Sequence, residues 1–218
     1  MNPRVKTRVS EGVGGWPSAT VSRRCLLLAG AALIAGCDRV PGLASKPQFQ
    51  ATDITGAEFG RSLSLPDLDG KLRTLDDFKG KVTVLFFGYT QCPDVCPTTM
   101  AELAAVKKSL GNDGDKVQGV FVTVDPERDT PEVLRNYVRS FDPGFIALRG
   151  TPEQTAAAAK EFKVFYAKVP GKTPGSYTMD HTAASYVLDQ QGRVRLFVRY
   201  GSGSQALAAD LKALLAAG

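Results

Sequence analysis

Val82 to Phe87 reads VTVLFF, an uncharged run bounded by Gly80-Lys81 before it and Gly88 after it. Such a run, rich in β-branched and aromatic side chains, is a strand with no face to give to water. It must sit inside a sheet covered above and below, so the rest of the chain has to supply helices for both faces. Pro97 to Leu110 carries Met100, Leu103, Val106 and Leu110 on roughly one helical face. Val117 to Val124 is a second strand, and Thr130-Pro131 opens a further helix with a capping hydroxyl and a proline at its first position. Phe145 to Leu148 is a short strand, and Thr151-Pro152-Glu153-Gln154 has the form of a capping box before an Ala-rich helix. Ala184 to Leu188 and Val194 to Val198 flank Asp189-Gln190-Gln191-Gly192 as a hairpin, and Leu207, Leu211, Leu214 and Leu215 stripe a last helix. Ahead of all this, Leu63 to Leu65, the Asp69-Gly70 turn and Leu72 to Leu75 form an opening hairpin. The order predicts an α/β fold: a central mixed sheet flanked by helices, with an N-terminal β-hairpin extension. At 218 residues the chain suffices for one domain with a real core.

The N-terminus has a different character. Residues 1–22 are polar, Ser22-Arg23-Arg24 follows, and Leu26 to Ala35 is apolar up to Gly36-Cys37. A basic segment, a short apolar stretch and small residues make an export signal over residues 1–36. The apolar run is about half of the roughly 20 residues that a spanning helix needs. Ser22-Arg23-Arg24-Cys25-Leu26-Leu27 is similar to a twin-arginine signal, and Leu33-Ile34-Ala35-Gly36-Cys37 resembles a bacterial lipobox. The expectation is a lipid on Cys37, a tether over residues 37–50 rich in Pro, Gly and Ser, and a folded domain over 51–218. Asp38 would then favour retention at the inner membrane. Cleavage elsewhere, or an uncleaved anchor, are the alternatives. Either way the chain is placed on the periplasmic side of the cytoplasmic membrane or at the cell exterior. Five of the 27 basic residues precede Cys37 with one acidic residue, so the remainder carries a net charge of only +1. That leaves no argument for nucleic-acid binding.

Loss of Cys25 with the signal and lipidation of Cys37 would leave two thiols, Cys92 and Cys96. In an oxidising compartment such a pair is a disulfide, a redox couple or a metal site. Four residues apart at a helix opening, they share a face with Cβ atoms about 5–6 Å apart, whereas a disulfide wants about 4 Å. Pro93 and Pro97 loosen the first turn because neither donates an N–H, so dithiol and disulfide are both open. A helix N-terminus also favours the thiolate. His181 is the chain's single histidine, just before a strand-like segment. A lone histidine is more often surface or core, but with two thiols it completes a soft three-donor set. Such a set suits Cu(I) better than structural zinc, which takes four ligands, or an Fe–S cluster, which needs more cysteines.

Three segments resemble the Sco (SenC) family of copper chaperones. They are Phe87-Gly88-Tyr89-Thr90-Gln91-Cys92-Pro93-Asp94-Val95-Cys96-Pro97; Val124-Asp125-Pro126-Glu127-Arg128-Asp129-Thr130-Pro131-Glu132 with Tyr137; and Tyr177-Thr178-Met179-Asp180-His181-Thr182 with Tyr186 and Asp189. The resemblance spans roughly residues 55–215. It implies a thioredoxin-like fold and copper bound by Cys92, Cys96 and His181, as Cu(I) with Cu(II) as a second state. It further implies a metallochaperone assisting assembly of the dinuclear copper centre of cytochrome c oxidase. The implied partners are that oxidase's copper-centre subunit or another copper-site protein, other periplasmic copper carriers or thiol reductants, and the membrane through the lipid. The competing reading is an enzyme, a thiol-disulfide oxidoreductase or peroxidase using Cys92 and Cys96, paired as a disulfide when oxidised. The C-x-x-x-C spacing, and Asp180-His181-Thr182 where thioredoxins place a proline, favour the metal site. Asp94 and Asp180 are candidates for tuning the site without binding the metal. Asp125 and Asp129 read as turn and capping residues around Thr130-Pro131.

Overall fold

The computed structural model describes residues 48–218. The expected export signal with Cys25, the expected lipidation site at Cys37 and the expected tether through residue 47 lie outside the described residues. Among the described residues, no helix is long and apolar enough to cross a membrane.

The main sheet has six strands: β1 (Thr52–Asp53), β4 (Val82–Gly88), β5 (Val117–Thr123), β6 (Ile146–Leu148), β9 (Ala184–Leu188) and β10 (Val194–Arg199). They lie in the order β1-β10-β9-β4-β5-β6. β4 runs parallel to β5 and β5 to β6, while β9 is antiparallel to both β4 and β10. This is the mixed sheet expected. Every residue of β4 and of β5 is buried, as the continuous apolar run requires.

The covering helices are α1 (Val95–Ser109), α2 (Pro131–Phe141), α3 (Pro152–Glu161) and α4 (Ser204–Ala216). α1 packs against α2 and α4. Phe87 turns to one face of β4 and meets Phe162, just beyond α3, at 5.7 Å between ring centroids. Phe86 turns to the other face and meets Phe121. Capping follows the sequence: the Thr130 hydroxyl accepts from the Val133 N–H, and Thr151 and Gln154 close a capping box.

The N-terminal extension is the small pair β2 (Leu65–Pro66) and β3 (Leu72–Arg73). Its turn is held by Asp67, whose carboxylate accepts from the N–H groups of Asp69 and Lys71. At the other edge, the buried Asp210 of α4 accepts from the N–H groups of Gln50 and Ala51 at 2.7 and 2.8 Å. That clamp seats the incoming chain beside β1.

The short edge strand β1 and a hairpin near the site have no counterpart in the sequence reading. β7 (Tyr166–Pro170) and β8 (Tyr177–His181) form a separate antiparallel hairpin. Lys168, Val169, Pro170, Thr178 and Asp180 are exposed, so no apolar periodicity marks it. His181 stands just before β9, as the sequence suggested, and also ends a strand of its own.

Candidate metal centre

β4 ends at Gly88, and the chain turns through residues 89–94 before α1 opens at Val95. A β-carbon on Gly88 would lie 2.8 Å from the Cys96 Sγ, 2.8 Å from the Phe86 ring and 3.0 Å from the Phe121 ring. Only glycine lets the helix bring its thiol so close to the strand. Cys96 is the second residue of α1 and is wholly buried. Cys92 lies in the turn ahead of the helix, partly buried, its N–H donating to the Tyr89 carbonyl. The two thiols thus do not share a helical face, as the spacing suggested. They meet because the turn folds back, so that the Cys96 N–H points at the Cys92 Sγ at 3.4 Å. Both thiols are free. Pro97 occupies the third helical position, where a backbone N–H has no partner within the helix in any case.

β8 delivers the third donor. The His181 Nε2 lies 3.3 Å from the Cys96 Sγ, and Nδ1 lies 3.1 Å from the Thr182 carbonyl. A carbonyl can only accept, so Nδ1 carries the proton and Nε2 presents its lone pair to the thiol. The imidazole stands edge-on between Phe86 and Tyr89, with centroids 5.8 and 5.9 Å away. Burial lowers the His181 pKa below the ordinary imidazole value and keeps the ring neutral. Burial also pushes the Cys96 thiol far above its ordinary range. At Cys96, desolvation therefore overrides the helix N-terminus that was expected to favour a thiolate. The ligand atoms of Cys92, Cys96 and His181 all lie within 4.8 Å of one another.

The second motif buttresses this group. Asp129 is fully buried, and its carboxylate accepts from the Thr90 N–H at 3.2 Å, the Thr90 hydroxyl at 2.6 Å and the Thr123 hydroxyl. It does not cap α2, as the sequence suggested; Thr130 does that. Asp129 instead fixes the backbone two residues before Cys92. Arg128 ties three segments together. Its Nε donates to Asp125, and its Nη1 donates to Gln91 at 3.1 Å and to the Tyr177 carbonyl at 2.8 Å. Its guanidinium also stacks on the Tyr177 ring at 3.6 Å, so one side chain joins the Cys92 turn to the hairpin carrying His181. Only the resemblance pointed to this stretch, and nothing in its spacing tells which groups it would meet.

Residues 51–216 match the family model described as SCO1/SenC. The chain belongs to the SCO1/SenC family. Among curated SCO relatives, a SCO2-like protein of Rickettsia felis is 36% identical over 137 residues, covering 62% of this chain and 67% of that one. Among solved structures, Bradyrhizobium japonicum ScoI with copper bound is 45% identical, with a TM-score of 0.65 over 72% of this chain and 99% of that one. Apo Sco1 of Thermus thermophilus is 39% identical, with a TM-score of 0.69 over 78% and 99%. The thioredoxin-like architecture of the Sco proteins is thus also that of this chain.

Within this SCO1/SenC domain, Asp94 and Asp180 supply no atom to the three-donor group. Both are exposed. Asp94 accepts weakly from the Thr98 hydroxyl at 3.4 Å, and the charge of Asp180 acts on His181 through space, favouring the imidazolium against the larger effect of burial. Two sulfurs and a neutral imidazole nitrogen form a soft donor set of low coordination number.

Proposed function

We propose that this SCO1/SenC protein is an extracytoplasmic copper metallochaperone that carries Cu(I) on Cys92, Cys96 and His181. The observation that carries this reading is the convergence of three soft donor atoms within 4.8 Å, two of them thiol sulfurs and the third a nitrogen already free of its proton. The copper bound to the similar Bradyrhizobium japonicum protein supports the identity of the metal. The acceptor is the dinuclear copper centre of a cytochrome c oxidase, or another copper-site protein. Other periplasmic copper carriers or thiol reductants serve it upstream. Lipidation at Cys37 tethers it to the periplasmic side of the membrane.

The chain's own chemistry follows from the geometry. The neutral His181 needs to lose no proton from Nε2, because the Thr182 carbonyl holds the ring's proton on Nδ1. Cys96 is a protonated thiol in the metal-free protein, so binding Cu(I) displaces its proton to solvent. The aromatic edges of Phe86 and Tyr89 fix the ring in place.

The test is a Cu(I) titration against a competing chelator. The reduced protein should take up one equivalent, and the Cys92–Cys96 disulfide essentially none, since its sulfurs have lost their lone-pair basicity as thiolates. Equal uptake by both forms would refute the assignment. A thiol-disulfide reductase would use the same cysteines but not the imidazole. Complementation of an oxidase defect at low copper by His181→Ala would therefore favour the reductase.

A further inference from the structure

The turn between β9 and β10 lies at the far end of the sheet from the ligand group. Leu188 of β9 stands opposite Thr83, and the Gly80 N–H donates to the Gln190 carbonyl, so this turn sits where β4 begins. The cysteines lie where β4 ends, roughly 20 Å away along the strand. Beside the turn, the start of β10 and the loop after β1 form a cavity of about 580 Å³. Arg61, Arg193 and Arg195 line it, and no carboxylate does. Each guanidinium is oriented through its Nε. That of Arg61 donates to the Ala57 carbonyl at 3.2 Å, that of Arg193 to Asp189 at 2.9 Å, and that of Arg195 to the Thr55 hydroxyl at 2.8 Å. Arg193 and Arg195 share the buried Asp189 carboxylate, through Nη2 at 2.8 Å and Nη1 at 3.3 Å, and Arg193 Nη2 also reaches the Gln191 side chain. Among the described residues, both Nη groups of Arg61, Nη1 of Arg193 and Nη2 of Arg195 are left without a hydrogen bond. The other carboxylates close by serve the backbone or water: Asp53 accepts from the Thr55 N–H, Glu161 from the Arg61 N–H, and Glu58 is exposed.

From this we infer that the cavity at the β9–β10 turn binds a phosphate group through Arg61, Arg193 and Arg195. Asp189 can balance one of the three charges, and no other carboxylate among the described residues bonds to these guanidiniums. The ion pairs of Asp189 thus account for part of the cluster, but they give no role to Arg61. Planar guanidinium edges pair with phosphate oxygens two at a time, and a tetrahedral oxyanion offers acceptors to several arginines at once. Arg195 is the fixed member, its side chain only 15% exposed and its guanidinium over the Phe49 ring at 5.7 Å. Arg61 and Arg193 are exposed and can close on an anion from the rim. Ala57 and Val194 add an apolar wall, so the space suits a phosphate ester better than the bare ion. A phospholipid headgroup and a soluble phosphate ester both carry that chemistry. The cavity shares no residue with the copper ligands, and the inference stands independently of the delivery reading.

The experiment titrates the full-length chain with inorganic phosphate and with glycerol phosphate by calorimetry, at constant ionic strength. It then compares melting temperatures in phosphatidylcholine vesicles with and without phosphatidylglycerol. Wild type should bind one equivalent of glycerol phosphate or melt higher with phosphatidylglycerol. Arg61→Gln should weaken that response about tenfold, the loss of one charge-assisted pairing, while binding Cu(I) as wild type does. Arg193→Gln, at an exposed position, should do the same and serves if Arg61→Gln misfolds. Arg199→Gln removes an exposed cation at the other end of β10 and should change nothing. Saturable glycerol phosphate binding without a vesicle effect assigns a soluble ester, and a vesicle effect that Arg61→Gln abolishes assigns a lipid headgroup. Neither response in wild type would overturn the site. So would an Arg61→Gln/Arg193→Gln protein that responds as wild type does, or an equal loss in Arg199→Gln, which would leave only diffuse attraction to surface charge.

Discussion

Asp129 is a buried carboxylate with no cation on its side chain, holding three donors from two segments. Truncation to Ala takes the acceptor from the hydroxyl of Thr123, itself fully buried, and from the N–H and hydroxyl of Thr90. A stranded buried donor costs about 1–3 kcal/mol, and hydrogen bonds to a charged acceptor about 1.5–3 kcal/mol each, though these do not add. Removing the unpaired buried charge gives part of this back. A net loss of about 3 kcal/mol is expected for Asp129→Ala, or roughly 6–12 °C in melting temperature for a domain of this size. Asp129→Asn has the same shape and one amide oxygen for Thr90, so it should melt within a few degrees of wild type.

The functional consequence lies two residues on. Without its clamp the turn carrying Cys92 loses its reference to β5, and supports of this kind typically change metal affinity about 10–100-fold. Thermal melts of the reduced metal-free protein and Cu(I) competition titrations measure the two effects separately. An Asp129→Ala protein with wild-type melting would refute the clamp. An unstable variant with unchanged Cu(I) affinity would confine Asp129 to folding. The pH dependence gives an independent check. Burial raises the Asp129 pKa despite its hydrogen bonds, so the folded state holds a proton that the unfolded chain releases near the ordinary carboxylate value. This contribution favours folding at low pH and fades as pH climbs from the unfolded to the raised folded pKa. Across that window Asp129→Asn should gain stability relative to wild type as pH increases.

Three further outcomes are expected. Gly88→Ala places a methyl group 2.8 Å from the Cys96 Sγ and the Phe86 ring; overpacking should cost about 1–3 kcal/mol in denaturant titrations and weaken Cu(I) binding as the thiol is displaced. His181→Ala loses two edge-on aromatic contacts and should cost about 1–2 kcal/mol without unfolding the domain, while Cu(I) affinity falls at least tenfold; a collapsed melt would return His181 to a core role. Tyr137→Phe removes a buried hydroxyl that has no hydrogen-bond partner and should leave stability unchanged or raise it by about 1 kcal/mol, and a clear drop in melting temperature would show a partner for that hydroxyl.

The parts of the fold legible from sequence were those with a strong local signature. β4 announced itself by an apolar run with no polar face, α3 by its capping box, and the β9–β10 hairpin by two apolar strands around a Gly-containing turn. The β7–β8 hairpin carried no such mark, because a two-stranded ribbon half in water needs neither alternation nor a continuous apolar run. Its order comes from long-range contacts: Arg128 against Tyr177, and Lys168 bound to Glu127 at 2.6 Å. Those contacts have no period in the chain.

The centre divides along the same physical line. Scarcity selected its donors, since two thiols and one imidazole leave few combinations, and chemistry ranked the metals that would accept them. What spacing could not supply was the environment of each donor. A spacing of four positions from Cys92 to Cys96 suggested equivalent thiols on one helical face, yet the helix starts between them and leaves Cys92 partly buried and Cys96 sealed. Burial then decides against the helix N-terminus at Cys96, because removing a thiolate from water outweighs the partial charge of a single helix end. Cys92 is the less buried of the two cysteines, which makes its sulfur the first candidate for an incoming ligand. If transfer runs through that sulfur, Cys92→Ser should slow the hand-over more than its loss of Cu(I) affinity accounts for. A transfer rate that simply tracks affinity across Cys92→Ser and His181→Ala would show that the order of access has no part in it.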